Sequence, residues 1–530
     1  MLSGRSRTAA AFALAALVVA STTGCMTSFK EWIHQGFKVG PDYHQPGVEV
    51  GEAWIDSEQP GVNPGEMDYS EWWTVFNDPQ LNELVLSAYE ENIPLKIACL
   101  RILEARYQLG VARGYLLPQE QQVVGAYQRQ QLSHNAYPFG DFSNIPGFRL
   151  SADDFSLGAT AAWELDFWGR FRRMIESAEA NVQIQQEDYH AALVLLQAEV
   201  AQNYIQMRTA EERLALARKN VELQERTLEL VQARFDQGLV SELDVNQAKA
   251  ILETTRSIIP MLELQRRLAQ NRLCTLMGQP PQSLDDILQG PAKLPDVPPE
   301  VVVGIPADLL RRRPDVRKAE RMAAAQCARI GVAEAEFYPH IAITGQIAFQ
   351  ADDFAHLINT DSIAGMVGPG FRWNVLNYGR IKNQVLAEDA RFRQAVLGYQ
   401  ETVLRASEEV EGMITAFLKE QDRVRKLEKA TEAIAKSVEL ATLQYQQGLI
   451  DFQRVLDSQR ALVQQQDALA EARGNVAQHL IGVYKALGGG WQMCFRMQPG
   501  AVHVVSETIV SPADEGGEII VGDAVENTQA

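Results

Sequence analysis

The sequence predicts a mainly α-helical protein with a small β part, made of two copies of one unit in which a long helical hairpin follows a few membrane-length strands. Three observations carry this prediction. Landmarks recur 210 residues apart: Trp163-x5-Gly169-Arg170 returns as Trp373-x5-Gly379-Arg380, Tyr189 as Tyr399, Glu199-Val200 as Glu409-Val410, Phe235-x-x-Gly238 as Tyr445-x-x-Gly448, and Leu276-x-Gly278 as Ala486-x-Gly488. A fixed internal period marks a duplicated architecture. Each copy also holds a seven-residue apolar row, the signature of helices that supercoil against partners. The first row is Leu193, Val200, Met207, Leu214, Val221, Leu228, Phe235; the second is Val403, Val410, Phe417, Val424, Thr431, Val438, Tyr445, broken only at Thr431. Finally, no Pro interrupts Arg170 to Phe235. At 1.5 Å per residue that helix is about 100 Å long, roughly three times a bilayer's hydrocarbon thickness.

Composition narrows the function classes. The chain has 530 residues and a net charge of −19, which argues against nucleic acid as a partner, since phosphate binding needs a basic surface. Arg311-Arg312-Arg313 is a short run before Pro314 and reads as a solvated helix start. Cys99, Cys274 and Cys327 lie singly in helical patterns, where small buried residues are expected. The spacing of Cys and His suggests no metal, and no cofactor is expected.

In chain order, residues 1–24 carry Arg5 and Arg7, then an apolar run from Ala9 to Ala20, then small residues up to Gly24-Cys25. This is a secretory signal, too short to span a bilayer. Because it ends at a Cys, it resembles a bacterial lipoprotein signal with Cys25 as the acylated first residue; Thr22 stands where that signal prefers Leu, and ordinary cleavage nearby is the alternative. Residues 25–70 read as an extended segment. The first repeat spans 71–280 and opens with a helix from Asp78-Pro79, an N-cap followed by Pro, to Leu117-Pro118. Its counterpart in the second repeat, 306–491, runs from Pro306 to Tyr338-Pro339. Residues 281–305 are a Pro-rich link, and 492–530 an acidic tail expected to be disordered.

Between these helices and the long ones, residues 121–131, 155–167, 340–350 and 365–375 alternate loosely. Each is about as long as one tilted transmembrane strand, though soluble hairpins have the same alternation. Pro138, Gly140, Pro146 and Gly147 mark turns. Four strands cannot close a barrel, and lipid tolerates no open edge; three chains would supply twelve. At the far ends the chain turns at Gly238 and Gly448. Ser241, with Asp244 placed for a capping box, starts the first returning helix, and Asp451 is the matching N-cap. Both returning helices end at a Gly suited to a C-cap, Gly278 and Gly488.

Specific motifs accompany this pattern: Val39-Gly40-Pro41-Asp42-Tyr43-x-x-Pro46, Trp72-Trp73-x-x-Phe76-x-Asp78-Pro79-x-Leu81, Asp166-Phe167-Trp168-Gly169-Arg170, Leu309-Leu310-x-x-Arg313-Pro314-Asp315-Val316, Val455-Leu456-Asp457 and Ala486-Leu487-Gly488-Gly489-Gly490-Trp491. With them the chain, from about residue 37 to 491, resembles the outer-membrane factor family of efflux and secretion channels, the TolC/OprM type, and most of all its lipoprotein branch. The resemblance implies a homotrimer whose twelve strands form a barrel in outer-membrane lipid and whose twelve helical arms form a tube. It also implies two partners, a periplasmic adaptor and an inner-membrane pump of the RND type.

The resemblance further places a pore constriction just past the second tip turn, at Tyr445, Arg454 and Asp457. The family often has an acidic residue where Arg454 stands. The expectation is a ring of Asp457 carboxylates across the trimer, with Arg454 paired to an acid on a neighbouring helix; a solvated helix-flank charge is the plainer reading of Asp457. The tip turns, Gln237, Gly238, Leu239 and Val240 with Gln447, Gly448, Leu449 and Ile450, are the expected adaptor contacts. Their apolar residues would otherwise pack on neighbouring helices. A coiled-coil adaptor lipoprotein is the rival reading, but adaptors usually carry one hairpin between lipoyl-like β halves, and this chain has two. A type I secretion channel is another. An enzyme is disfavoured, because the eight His are scattered and Gly-x-Ser-x-Gly is absent.

Overall fold

The computed structural model describes residues 27–493 apart from 66, 132, 134–150, 285–286, 289–292 and 309–311. The expected leader 1–24, the acylation site Cys25, the turn residues Pro138, Gly140, Pro146 and Gly147, and the tail from 494 onward lie outside the described residues.

Both expected hairpins are present. Helix α4 (Arg170–Asp236) and helix α7 (Arg380–Gln446) are each 67 residues long, and their returning helices α5 (Glu242–Leu276) and α8 (Phe452–Ala486) are each 35. The apolar rows fare differently. In α7, Val403, Val410, Phe417, Val438 and Tyr445 are buried, and Thr431 is half-buried. In α4 the row is buried only to Leu214. Beyond it the buried positions move to Ala217, Gln224, Thr227 and Val231, and Phe235 is exposed. A straight helix of 3.6 residues per turn drifts about 20° per seven residues, so this row rotates off the contact.

The helix expected from Asp78 to Pro118 is two helices, α2 (Pro79–Glu91) and α3 (Ile93–Gly114), broken at Asn92. Asn92 has an extended backbone, and its Oδ1 accepts from Leu95 N at 2.9 Å while its Nδ2 donates to Leu276 O at 2.8 Å. Pro94 suits the first turn of the new helix. Its counterpart α6 (Pro314–Ala335) starts eight residues later than expected, at the Arg313-Pro314 step, because Pro disfavours a helical residue before it. Arg313 Nη1 donates to Ala486 O at 2.5 Å, the bond that Asn92 makes to Leu276 in the other repeat. Each short helix therefore stacks end-on above a returning helix. Around this level lies the main apolar core. Trp72, Trp73, Phe76 and Leu81 are buried, Trp72 stacks on Tyr484, and the N-cap Asp78 accepts from Tyr204 Oη at 2.6 Å.

Helix α4 packs against α3, α5, α6 and α8, while α7 packs against α6 and α8. Four helices thus stand side by side at each level, in the order α3, α4, α6, α7 near the sheet and α5, α4, α8, α7 near the tips. Exposed apolar rows run down both flanks. One is Ile93, Ile97, Leu100, Leu103, Tyr107 and Val111 on α3, with Met261, Leu264 and Leu268 on α5; the other includes Leu386, Leu397 and Leu404 on α7.

The strands β2 (Glu120–Gln131), β3 (Ser151–Leu165), β5 (His340–Ala351) and β6 (Ile363–Arg372) form one antiparallel sheet in the order β2-β3-β5-β6. Their register sorts the side chains onto two faces. Val123, Tyr127, Phe155, Leu157, Trp163, Ile343, Ile347, Phe349, Val367 and Phe371 share one face; Gln122, Gln128, Asp154, Thr160, Glu164, Thr344, Gln346 and Gln350 share the other. Strands β3 and β5 are paired on both sides, and among the described residues β2 and β6 each keep one free edge. In both repeats the same Trp bonds the end of the short helix: Trp163 Nε1 to Leu116 O at 3.1 Å, and Trp373 Nε1 to Phe337 O at 2.9 Å.

The segment expected to be merely extended is a strap. It forms helix α1 (Phe29–His34), capped by Ser28 with Glu31, and a two-residue strand β1 (Val62–Asn63) parallel to β4 (Val301–Val302). The link 281–305 is therefore partly built into the fold, and burial of Met493 carries the packed chain past residue 491. The strap crosses between α4 and α6 at Val39-Gly40. There the buried Arg173 donates to Val39 O at 3.0 Å and to Gly40 O at 2.8 Å, and pairs with Asp42 at 2.9 Å and Glu176 at 2.7 Å. A Cβ on Gly40 would lie 2.3 Å from Gly331 Cα, so the crossing needs Gly. Arg173→Ala leaves the Val39 and Gly40 carbonyls without their buried donor, while Glu176 keeps Lys38, and is expected to cost about 2 kcal/mol. Limited proteolysis checks it: the variant should be cut within residues 27–60 under conditions that spare the parent, and equal protection would contradict the clamp.

Candidate pore tip

Each long helix ends in the same six-residue geometry. At the first tip Leu239 N donates to Arg234 O and Gly238 N to Phe235 O; at the second Leu449 N donates to Gln444 O and Gly448 N to Tyr445 O, all between 2.8 and 2.9 Å. This is the Schellman pattern. It requires a left-handed residue, supplied by Gly238 (φ 73°) and Gly448 (φ 76°). The capping box expected at the first tip is present, with Ser241 N donating to Asp244 Oδ2 at 3.1 Å. Asp451 occupies the matching N-cap with an extended backbone, but its side chain makes no capping bond.

The turn residues divide. Gln237 and Gln447 are exposed, as are Leu239 (62 %) and Leu449 (69 %), which point away from the fold. Val240 and Ile450 instead pack against the tip cluster of Val231, Val245, Ile251, Phe452, Val455 and Leu456. Local packing thus accounts for one apolar residue of each turn and leaves the other free.

Tyr445, expected at the constriction, is a packing residue of this cluster and only 3 % exposed. Its ring lies 5.2 Å from Phe452. Burial pushes its phenol above the ordinary value, while the Arg234 charge pulls it back. Arg234 of the first hairpin sits 4.7 Å over that ring and donates to Tyr445 O at 2.5 Å. It staples the two tips together, and the sequence reading missed it. The signal lay in the break of the repeat, since the 210-residue partner of Arg234 is Gln444.

Arg454 and Asp457 lie on the exposed face of α8, with Gln453 and Arg460. Asp457 accepts from Gln453 Nε2 at 2.9 Å and lies 3.7 Å from Arg460 Nη1. Among the described residues no carboxylate lies within ion-pair distance of Arg454, so its expected acidic partner is not found among them. The face carries two bases and one acid.

Above the tip, the seam between the hairpins is polar. Arg213 of α4 makes a two-pronged pair with Asp467 of α8 at 2.7 and 2.9 Å, Asn220 donates to Gln466 at 2.8 Å, and Gln459 donates to Thr227 at 2.9 Å. The Asp467 bond holds the Arg213 pKa above its ordinary value. No helix among the described residues is long and apolar enough to cross a membrane.

The pattern of the outer membrane efflux protein family matches residues 84–279 and 305–489. The chain is 30 % identical to nodulation protein T of Rhizobium leguminosarum bv. trifolii, covering 88 % of this chain and 97 % of that one. It is 28 % identical to the cation efflux system protein CusC of Escherichia coli O6:H1, covering 86 % and 96 %. The solved outer-membrane channel OprN superposes with a TM-score of 0.79 at 31 % identity, covering 86 % of this chain and 99 % of that one. Matched along both repeats, the chain belongs to the outer membrane efflux protein family, and its work is that of an outer-membrane channel in a tripartite efflux system, not of an enzyme.

Proposed function

We propose that three copies close into one conduit. Their twelve strands seal a barrel in the outer membrane, their helices enclose a tube through the periplasm, and acyl chains on Cys25 add a lipid anchor. The observation that carries this reading is the two-faced sheet with free edges at β2 and β6. An apolar face suits lipid and a polar face a watery lumen, and only closure removes edges. The apolar rows on α3, α5 and α7 give copies a surface on which to meet. In a planar bilayer, purified protein should form pores and run as a heat-modifiable trimer; a monomeric particle without conductance would refute the reading.

The tip turns Gln237–Val240 and Gln447–Ile450 dock a periplasmic adaptor, with Leu239 and Leu449 inserting into it, and an inner-membrane pump of the RND type delivers the cargo. Relatives carry names drawn from nodulation, cation efflux and pyoverdine export. A tube common to such different cargoes leaves selection to the pump. The second tip constricts the pore through Arg454 and Asp457, while Tyr445 holds their helix in place.

Three outcomes follow from this assignment. Leu239→Asp with Leu449→Asp should lower retention of a co-expressed adaptor at least tenfold, since each buried Leu contributes about 2 kcal/mol; unchanged co-purification would move the contact elsewhere. Asp457→Asn should reduce cation preference and Arg454→Ala increase it, because charges in a narrow pore set ion preference. Reversal potentials under a KCl gradient read this, and two unchanged values would clear both residues of the constriction. Arg234→Gln removes a charged hydrogen bond and a cation–π contact worth together about 2 kcal/mol, on the order of thirtyfold in the open-to-closed ratio. Single-channel open time should rise accordingly, and parent-like gating would show that the staple does not hold the closed tip.

A further inference from the structure

The chain contains its own template for the contact between copies. Inside one chain, β3 and α4 of the first repeat meet β5 and α6 of the second. In a closed ring, β6 and α7 are followed by β2 and α3 of the next copy. Resting on the trimeric reading above, we propose that the junction between copies repeats the internal junction residue for residue, with β6 pairing to β2 of the next copy in the register Phe371↔Gly125 and Tyr378 seating on Leu117-Pro118.

The register comes from the two hairpins. Glu120 pairs with Ala162, and His340 with Arg372. Equivalent residues are thus 210 apart from β3 to β6 and 220 apart from β2 to β5. The internal junction pairs Ala161 with Gly345 and Phe155 with Ala351. Moving β3 numbers up by 210 and β5 numbers down by 220 turns these into Phe371↔Gly125 and Gly365↔Gln131. The faces require this interval over the 221 residues of the helix ends, which would give Phe371↔Val124. Phe371 pairs with Ile341, and Gly125 with Leu157, so both lie on the apolar face. A slip by one residue would set that face against the polar one.

The seat follows from the helix ends, where equivalents are 221 apart. Gly110 matches Gly331 and Pro118 matches Pro339, and the two Trp bonds to Leu116 O and Phe337 O keep the same interval. In the internal junction Trp168 stacks on Tyr338 at 4.5 Å and donates to Pro339 O at 2.9 Å. The counterpart of Trp168 is Tyr378, and that of Tyr338 is Leu117. Tyr378 is 96 % exposed and Leu117 66 % exposed, and the Tyr378 backbone sits at φ 51°, so both halves of the copied contact are unfilled. Lower down, the internal Asp188–Lys318 pair at 2.7 Å maps to Gly398 opposite Ile97, and the Glu187–Arg317 pair maps to Leu397 opposite Lys96, which pairs with Glu91 in its own chain. Both internal carboxylates thus give way to uncharged residues between copies, which suits the exposed row of α7.

The test uses the full-length detergent-solubilised protein. Oxidised Phe371→Cys with Gly125→Cys should give covalent dimers and trimers on non-reducing gels. Phe371→Cys with Val123→Cys, on the same face but slipped by two residues, should give few. In parallel, Tyr378→Ala should lower the temperature at which the trimer dissociates, and Tyr378→Trp, which copies the first repeat, should preserve it. Trimers by light scattering that crosslink through Val123, or through neither site, would overturn the register while leaving trimerisation standing. A monomer by light scattering would sink the trimeric reading itself, and the register with it. Equal dissociation temperatures for the two Tyr378 variants would overturn the seat.

Discussion

The backbone edges of β2 and β6 constrain everything else. Lipid offers no hydrogen bonds, so each unpaired N–H or C=O there costs several kcal/mol. A strand of ten or twelve residues exposes about half its groups along one edge, and no second sheet among the described residues covers either one. Tens of kcal/mol thus depend on finding strands outside the chain. The sheet is also too narrow to curl onto itself. The threefold closure proposed above answers this, with four helices per level from each chain, because the helices hang from the strands one repeat at a time.

The level of Asn92 and Arg313 turns this geometry into a tube. A single helix of about 100 Å flanked by single partners of equal length would need an apolar row that never drifts. The chain uses two shorter partners instead, one above and one below the break. Each short helix begins on the last carbonyls of a returning helix, through Asn92 to Leu276 and through Arg313 to Ala486. At the break the Trp72 and Tyr484 core fills the space that two helix ends leave open. This gives the Trp-Trp motif and the Arg-Pro-Asp motif, 240 residues apart in sequence, one shared structural role.

What the sequence made legible is what local chemistry decides. The tips were readable because a left-handed Gly and an N-cap three residues apart allow little but a turn, and the strands because their period differs from the helices'. The break at Asn92 was not readable. Pro94 fits a kinked helix as well as a new one, and the bond that decides it reaches Leu276, 184 residues away. Drift of the first row escaped for a related reason: a run such as Val221, Leu228, Phe235 keeps its apolar letters after its face has turned from the partner. The strap looked extended because Gly and Pro dominate it, whereas the buried Arg173 that fixes it lies in another element.

The tip combines two kinds of contact, and their difference bears on motion. Within each hairpin the interface near the turn is apolar and close-packed, so α4 with α5, and α7 with α8, hold together as units. Between hairpins, polar pairs run down the seam, Arg213 with Asp467, Asn220 with Gln466 and Gln459 with Thr227, to the Arg234 staple, beside an apolar tip cluster that both hairpins share. Water can replace such bonds at a net cost of about 1 kcal/mol each, whereas exposing an apolar seam costs far more per contact. A tip that widened between hairpins would release these polar pairs at small cost but would also have to divide the shared apolar cluster. Arg234 adds to this a charge, a carbonyl and an aromatic face joined across the seam where the helices end. An Arg at the first tip and Gln444 at the second also means that the staple is used once per chain. The duplicated hairpins are thereby unequal at the tip, the level at which the proposed conduit would open and close.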